Sequence, residues 1–437
     1  MKTNPWLYVP SLYLAEGFPY IIINIVSVLL YGALGYSNEQ ITLWTGWLYL
    51  PWVIKMFWSP LIDARSTKRS WLLGAQIAMS AVFLGIAGLL VWNAIAHAGQ
   101  LQSLSFFTLS LIGFFIGAFV SATLDIATDG YYLLTLTPRE QGYFVGVRTF
   151  FYRVAMVLGS GALISMVGFL GETSLPLPYN WAFFFAFMAL FFLVCGVLHS
   201  FILPKPAEDV PLQKTRSQAW TEAFSQYFTQ KDVVYILLFI LFYRFGEALL
   251  EKIVPLFLTK PVAQGALDIG MKAFGIIKGT FGLIAIICGN LLGGWLLGKY
   301  GFKKCIWYFA LALVLPNIFY VYLAAAKPGL FIIGLLITLE NFGYGLAMMA
   351  LTVFIMYVSQ GRYKTSHYAI STGIMALGMM IPSMLSGKLQ AILGYQNFFW
   401  AAFLISLITF AIVPLAFKIS LLDETEAKFK SSSEKKA

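Results

Sequence analysis

Apolar stretches of twenty or more residues recur from one end of the chain to the other, separated by short clusters of Lys, Arg, Asp, Gly and Pro. A helix rises ~1.5 Å per residue, so each stretch is long enough to cross a hydrocarbon layer of ~30 Å. The pattern predicts spans 1 to 6 at 7–34, 40–61, 71–96, 104–134, 142–170 and 181–203, and spans 7 to 12 at 233–259, 271–298, 305–325, 329–359, 367–393 and 397–420. The expected class is an all-α membrane protein of twelve transmembrane helices in two six-helix halves. The first run, Leu7 to Leu34, is too long for a signal-peptide core and lacks a small-residue cleavage site, so it is expected to stay as span 1.

The longest polar interruption, Pro204 to Asp232, separates six spans from six. It divides the chain into a first bundle (1–203), a linker (204–232), a second bundle (233–420) and a polar tail (421–437) expected to be disordered. Within the linker, Trp220, Phe224, Tyr227 and Phe228 share one helical face, which predicts an amphipathic helix around Gln218–Phe228. The halves repeat. Ser59-Pro-Leu-Ile-Asp63-Ala-Arg65-Ser66-Thr-Lys68-Arg69 follows span 2, and Gly294-Trp-Leu-Leu-Gly298-Lys299-Tyr-Gly301-Phe-Lys303-Lys304 follows span 8. The offset that aligns them also sets Glu16 of span 1 on Glu251 of span 7. Two repeated halves joined by a linker is the organisation of secondary transporters, whose site lies between the repeats.

Composition narrows this further. Hydrophobic residues make up 59% of 437 and charged residues 11%, and the mean hydropathy is +0.79, too apolar for a water-soluble chain. A net charge of +10 is compatible with nucleic acid as a partner, but its distribution argues for topology instead. With the N-terminus in the cytoplasm, about 19 Lys/Arg fall on that side, whereas the loops opposite carry Lys260 and Lys327. Both termini are therefore expected in the cytoplasm, with the bilayer as the partner rather than nucleic acid. Cys195, Cys288 and Cys305, and His97, His199 and His367, have no metal or disulfide spacing. Most of the aromatic residues (17%) are expected at lipid or the interface.

The two post-span turns resemble the loop motif of the major facilitator superfamily, approximately G-x-x-x-D-[RK]-x-G-[RK]-[RK], with Asp63 at the acidic position and Gly298 there in the second copy. A narrower resemblance lies in spans 2 to 5. Lys55-Met-Phe-Trp58-Ser-Pro60-Leu-Ile-Asp63, Trp71-Leu72-Leu73 with Gln76, Asp125-Ile-Ala-Thr-Asp129 and Tyr152-Arg153 are similar to segments of the AmpG-type muropeptide permeases and related acetyl-CoA transporters. Leu124, Tyr131 and Arg148 depart from that pattern. The resemblance implies a proton-coupled importer of a polar solute in the bacterial inner membrane, driven by the proton gradient with no cofactor. Its implied cargo is an anhydro-muropeptide, with acetyl-CoA or another anionic metabolite as the competing substrate. A gating role for Asp63, Arg65 and Lys299 is implied in the same way, and a monomer suffices for such an architecture.

An ionisable group in hydrocarbon costs at least ~2.5 kcal/mol, so those present must face protein or water and find partners. Counting from the cytoplasmic ends places Asp125 and Arg153 about ten and eleven residues deep, and Asp129 and Arg148 about six. The expected rungs are Asp125 with Arg153 and Asp129 with Arg148, with Glu16 and Lys55 at a similar level. In the second half Arg244, Glu247 and Glu251 form one stripe at i, i+3, i+7. Lys278 and Glu340 share a depth, and Asn341, Asn290 and Asn317 add uncharged donors. One reading is that these groups carry protons and bind the polar part of a substrate. The other is that they are static pairs and hydrogen bonds holding helices in register. An intramembrane prenyltransferase would use Asp125-x3-Asp129 as a metal–diphosphate site, but such enzymes need two Asp-rich clusters and the sequence offers one. Gly113/Gly117, Gly142/Gly146, Gly275/Gly279 and Gly289/Gly293 are expected close-packing sites between helices.

Overall fold

The computed structural model describes residues 4–96, 102–172, 175–210, 216–359, 364–420 and 422, with the side chains at 59–61, 63–64, 138–139, 142–143, 145, 216–220 and 364–365 outside the description. Among the described residues all regular structure is helical. Ten helices are long and apolar enough to cross a membrane. Spans 1 and 3 to 6 are Pro5–Ala33, Lys68–Ala96, Leu104–Thr135, Gly146–Gly171 and Leu177–Ile202; spans 7 to 10 are Val233–Thr259, Gly270–Tyr300, Phe302–Ala326 and Leu330–Val358. The tenth, Ser366–Ala416, is two spans in one. Gly394, at φ 71° and ψ 168°, breaks the run where spans 11 and 12 were expected to part. The left-handed φ that only glycine adopts freely turns the chain there without a loop. Span 2 completes the twelve. It runs from Asn38–Gly46 through a 3₁₀ turn at Trp47–Tyr49 into Leu50–Arg65, and its Pro51, Lys55 and Asp63 lower its apolar character. The expected tail, 421–437, lies outside the described residues apart from Leu422.

A helix at Arg216–Thr229 lies between the two sets of spans. It covers the expected amphipathic segment. Its Ala223 and Tyr227 are buried, and burial pushes the Tyr227 hydroxyl up to about 12. Tyr227 Oη lies 2.8 Å from Ser371 Oγ at the start of span 11, and Phe224 packs on Phe57 of span 2 with ring centroids 6.1 Å apart. The linker therefore touches both halves on the side of the termini. Asp209 closes the exposed start of span 3, accepting from the Lys68 and Arg69 amides at 2.6 and 3.0 Å, where a helix leaves its first N–H groups unpaired.

Lipid offers apolar side chains no incentive to leave it, so bundles like this close through small residues that let backbones approach. On the side remote from the termini this joins the two halves. A Cβ on Gly161 of span 5 would lie 2.9 Å from the Gly279 carbonyl of span 8, and one on Gly275 would fall 2.5 Å from Gly161 O. Gly387 of span 11 presses on Asn38 and Thr42 of span 2. Gly289 and Gly293 pack span 8 on span 10 within the second half, while a Cβ on Gly113 would meet only ordinary contact at 3.4 Å. Part of the aromatic set lies inside the bundle rather than at lipid or the interface. Trp181, Tyr8, Tyr31, Tyr131, Tyr243 and Tyr320 are among the largest fully buried side chains, because wide rings fill the gaps between crossing helices and pair edge to face.

Candidate functional site

A cavity of about 170 Å³ lies between the halves. Spans 1 and 5 contribute Tyr20, Asn24, Arg153 and Ser160; spans 7, 8, 9 and 10 contribute Arg244, Glu247, Glu251, Lys278, Tyr320, Asn341 and Tyr344. The span 7 stripe forms because the helix restarts at Phe245, with Arg244 at its N-cap. From there the i, i+3, i+7 spacing keeps all three side chains on the cavity face. Tyr49 of span 2 reaches across the halves and donates to Glu251 Oε1. Arg244 donates to Tyr344 Oη, and its guanidinium carbon stands 4.9 Å from the Tyr344 ring centre.

Lys278 and Glu340 do meet, with Nζ to Oε2 at 3.3 Å. Glu340 Oε2 also accepts from Tyr320 Oη at 2.8 Å and Asn341 Nδ2 at 2.9 Å. Of the three asparagines, Asn341 lines the cavity; Asn290 and Asn317 do not. Glu247 Oε2, Glu251 Oε2 and Arg244 Nε are buried without a partner. Buried polar atoms are almost always satisfied, so these mark the wall where an incoming polar ligand or water finds its bonds.

A second cluster lies toward the termini, outside the cavity lining. Arg148 donates from Nη1 to Asp129 Oδ1 at 2.9 Å, the expected rung. Tyr13 Oη donates to the same oxygen at 2.8 Å. The Arg148 guanidinium is further held between the Tyr13 and Tyr132 rings, at 5.3 and 5.2 Å. The other expected rung does not form. Asp125 Oδ2 pairs with Lys55 Nζ at 2.5 Å, while Arg153 lines the cavity with Met156 Sδ as its hydrogen-bond acceptor at 3.7 Å. The reason is rotational. Asp125 and Asp129 are four apart and share a face, but Arg148 and Arg153 are five apart and point about 140° from each other. One helix cannot present both to span 4.

Glu16 is 7% exposed. Its carboxyl lies beside those of Asp125 and Asp129, within hydrogen-bonding reach of Asp125, and Oε2 has no partner. Three carboxylates thus meet two cations, Lys55 and Arg148. The paired side chains are 24–47% exposed and stand within electrostatic range of Tyr368 on span 11. Their exposure is therefore to the mouth between the halves. Among the gating candidates, Arg65 is exposed; the Asp63 side chain lies outside the described residues. Lys299 is exposed with its ammonium over Trp295 and Tyr300 of its own helix, at 4.8 and 5.2 Å.

Three of the tyrosines, Tyr13, Tyr320 and Tyr344, were missed from the sequence. Tyr13, Tyr49, Tyr320 and Tyr344 each bond a charged group. Tyr13 stands one turn from Glu16 and Tyr344 one turn from Asn341, a spacing legible beforehand.

Comparison with known proteins agrees with this architecture. An anhydromuropeptide permease of Escherichia coli K12 is 25% identical over 80% of this chain and 67% of its own. An uncharacterised protein of Haemophilus influenzae is 26% identical over 83% of each chain. Among solved structures, a D-xylose–proton symporter superposes with a TM-score of 0.70 at 14% identity, covering 94% of this chain and 96% of its own, a likeness of fold. The sequence matches the Major Facilitator Superfamily over residues 11–367. With twelve spans and a charged cavity between two six-helix sets, the chain belongs to that superfamily: it is a multi-pass membrane transporter of a small-molecule solute rather than an enzyme.

Proposed function

We propose that the protein is a proton-coupled importer of anhydro-muropeptides, or of closely similar sugar–peptide carboxylates, across a bacterial inner membrane, with both termini cytoplasmic. The observation that carries the cargo is the pair Arg153 and Arg244. One comes from each half, both line the same cavity, and neither forms an ion pair with a carboxylate among the described residues. A ligand bearing carboxylates supplies the missing counter-charge and is gripped by both halves at once. The similar permease of Escherichia coli K12 is named for anhydromuropeptides, which carry such carboxylates. Lys55 and Arg148, expected beside the ligand, are instead occupied by Asp125 and Asp129.

Proton coupling rests on the three-to-two charge count around Glu16. In a poorly solvated cluster the third carboxyl costs least when it carries a proton. Opening the mouth hydrates it and lets the proton leave. The driving force is then the proton gradient, with no cofactor. Uptake of labelled anhydro-muropeptide into vesicles, with and without an imposed pH gradient, tests both parts. Wild-type uptake should follow the gradient, and Glu16→Gln should retain binding while losing that dependence. Uptake indifferent to the gradient in both forms would remove proton coupling; uptake of labelled acetyl-CoA but not of labelled muropeptide would reassign the cargo.

A further inference from the structure

Span 7 and the residue that ends it carry two buried lysines, Lys252 and Lys260, that do not line the cavity. Lys252 is 0% exposed and Lys260 5%, and neither has a carboxylate at ion-pair distance among the described residues. Both cross to the first half and end on backbone carbonyls. Lys252 Nζ donates to Asn24 O of span 1 at 3.4 Å and to Thr45 O of span 2 at 3.3 Å, and stands 5.1 Å from the centre of the Tyr49 ring. Lys260 Nζ donates to Tyr36 O, just beyond span 1, at 2.7 Å. The carbonyls that receive Lys252 lie where the α-helical ladder is interrupted. Asn24 is inside the π-helical segment Ile22–Val26, and Thr45 sits at the junction with the 3₁₀ turn Trp47–Tyr49. Such interruptions turn carbonyls out of the regular ladder.

These contacts lie on the closed side, remote from the termini. Between them Gly32 of span 1 packs against Leu256 of span 7 so tightly that a Cβ would lie 2.7 Å from Leu256 Cδ2. A seam made of glycine and leucine alone would close and stay closed. A transporter must part it in every cycle.

We infer that Lys252 and Lys260 are release lysines: buried cations with carbonyls as their hydrogen-bond acceptors and no counter-ion among the described residues, which make the closed seam between span 7 and spans 1 and 2 cheap to open. In the closed state each ammonium has exchanged its water shell for one or two carbonyl oxygens, and the Lys252 bonds are long. Burying an ion with such partners costs several kcal/mol, and replacing buried ions by apolar groups of similar size commonly stabilises a structure. When the seam parts, water reaches the ammonium and the cost is recovered. The nearest carboxylate along the helix, Glu251, takes its hydrogen bond from Tyr49, the tyrosine whose ring faces Lys252. The cavity wall and the lysine seam therefore share one side chain. Tyr49 is the element through which ligand or proton arrival at Glu251 reaches the seam.

The inference rests on the alternating opening of a transporter and not on its cargo, so the test uses no cargo. Spin labels are placed at the exposed Glu39 and Gln264, one in each half on the remote side, with the native cysteines replaced by serine. The full-length protein is then measured for label separation and for thermal stability. For Lys252→Met we expect the longer-distance population to fall by about tenfold or more and the Tm to rise. Lys260→Met, at the rim of the seam, should shift both in the same direction and serves if Lys252→Met does not fold. A lysine acting as a clamp gives the opposite signs: a larger long-distance population and a lower Tm. Either of those results, or both variants matching wild type, overturns the inference. Failure of the wild-type protein to take up muropeptide, with the expected shifts in both lysine variants, would instead count against the cargo reading alone.

Discussion

Gly279→Ala tests how the remote side is closed. Gly279 belongs to the π-helical segment Gly275–Gly282 of span 8 and packs on the matching π-helical segment of span 5, Leu158–Ala162. A Cβ at Gly279 would fall on the Ser160 carbonyl and lie 2.6 Å from Gly161 Cα. Ordinary contact needs about 3.4 Å or more, so the helices must separate by about 1 Å. No flexible side chain can yield, because the atoms in the way are backbone. Overpacking of this kind costs roughly 1–3 kcal/mol, charged to the closed state alone. The population closed on the side remote from the termini should fall about 5- to 150-fold relative to the open one. Gly113→Ala is the control. It makes the same change of helix propensity, but its Cβ meets Ile86 Cγ1 at 3.4 Å within the first half. The Glu39/Gln264 label pair should report a larger long-distance population for Gly279→Ala and an unchanged one for Gly113→Ala. Identical distances and uptake in the two variants would refute the view that the glycine contact sets the closed geometry.

Lys260 makes the same seam sensitive to pH. Burial holds its ammonium down to about 8 from an ordinary 10.5, and the groups facing it are the Tyr36 carbonyl and Gly32. Closing the seam therefore releases a proton. The penalty for burying the charge is full below about pH 8 and fades as pH rises toward 10.5, so the closed population should grow across that window. Label distances measured from pH 7 to 10 check it, and Lys260→Met should weaken the trend. Asp209→Ala removes both acceptors from the start of span 3, a loss of about 1–2 kcal/mol for a capping carboxylate. Hydrogen exchange at the amides of Lys68 to Trp71 should speed up about tenfold, and unchanged exchange there would show that the cap does not hold that turn.

The periodicity of apolar runs determined the class, the number of spans and most boundaries to within a few residues. Length and hydropathy are properties of the chain alone, and the bilayer leaves only the helix to satisfy so long an apolar backbone. Depth was legible too, because rise per residue is fixed. That is why Asp129 met Arg148 and Lys278 met Glu340. Azimuth was legible within one helix, as the span 7 stripe shows, but not between helices. Which residue of span 2 or span 5 lies opposite Asp125 depends on how helices rotate and cross, and those angles are set by small-residue contacts distant in sequence. The π and 3₁₀ interruptions at Ile22–Val26 and Trp47–Tyr49 have no counterpart in the apolar pattern, since they change hydrogen bonding without changing hydropathy. The carbonyls they turn out, the tyrosines that share the carboxylates and the burial of Lys252 and Lys260 exist only once the two halves meet. The sequence determined what crosses the membrane and at what depth its charges sit. Tertiary packing decided which charges are paired and which face the cavity, because partner choice depends on rotation about the helix axes.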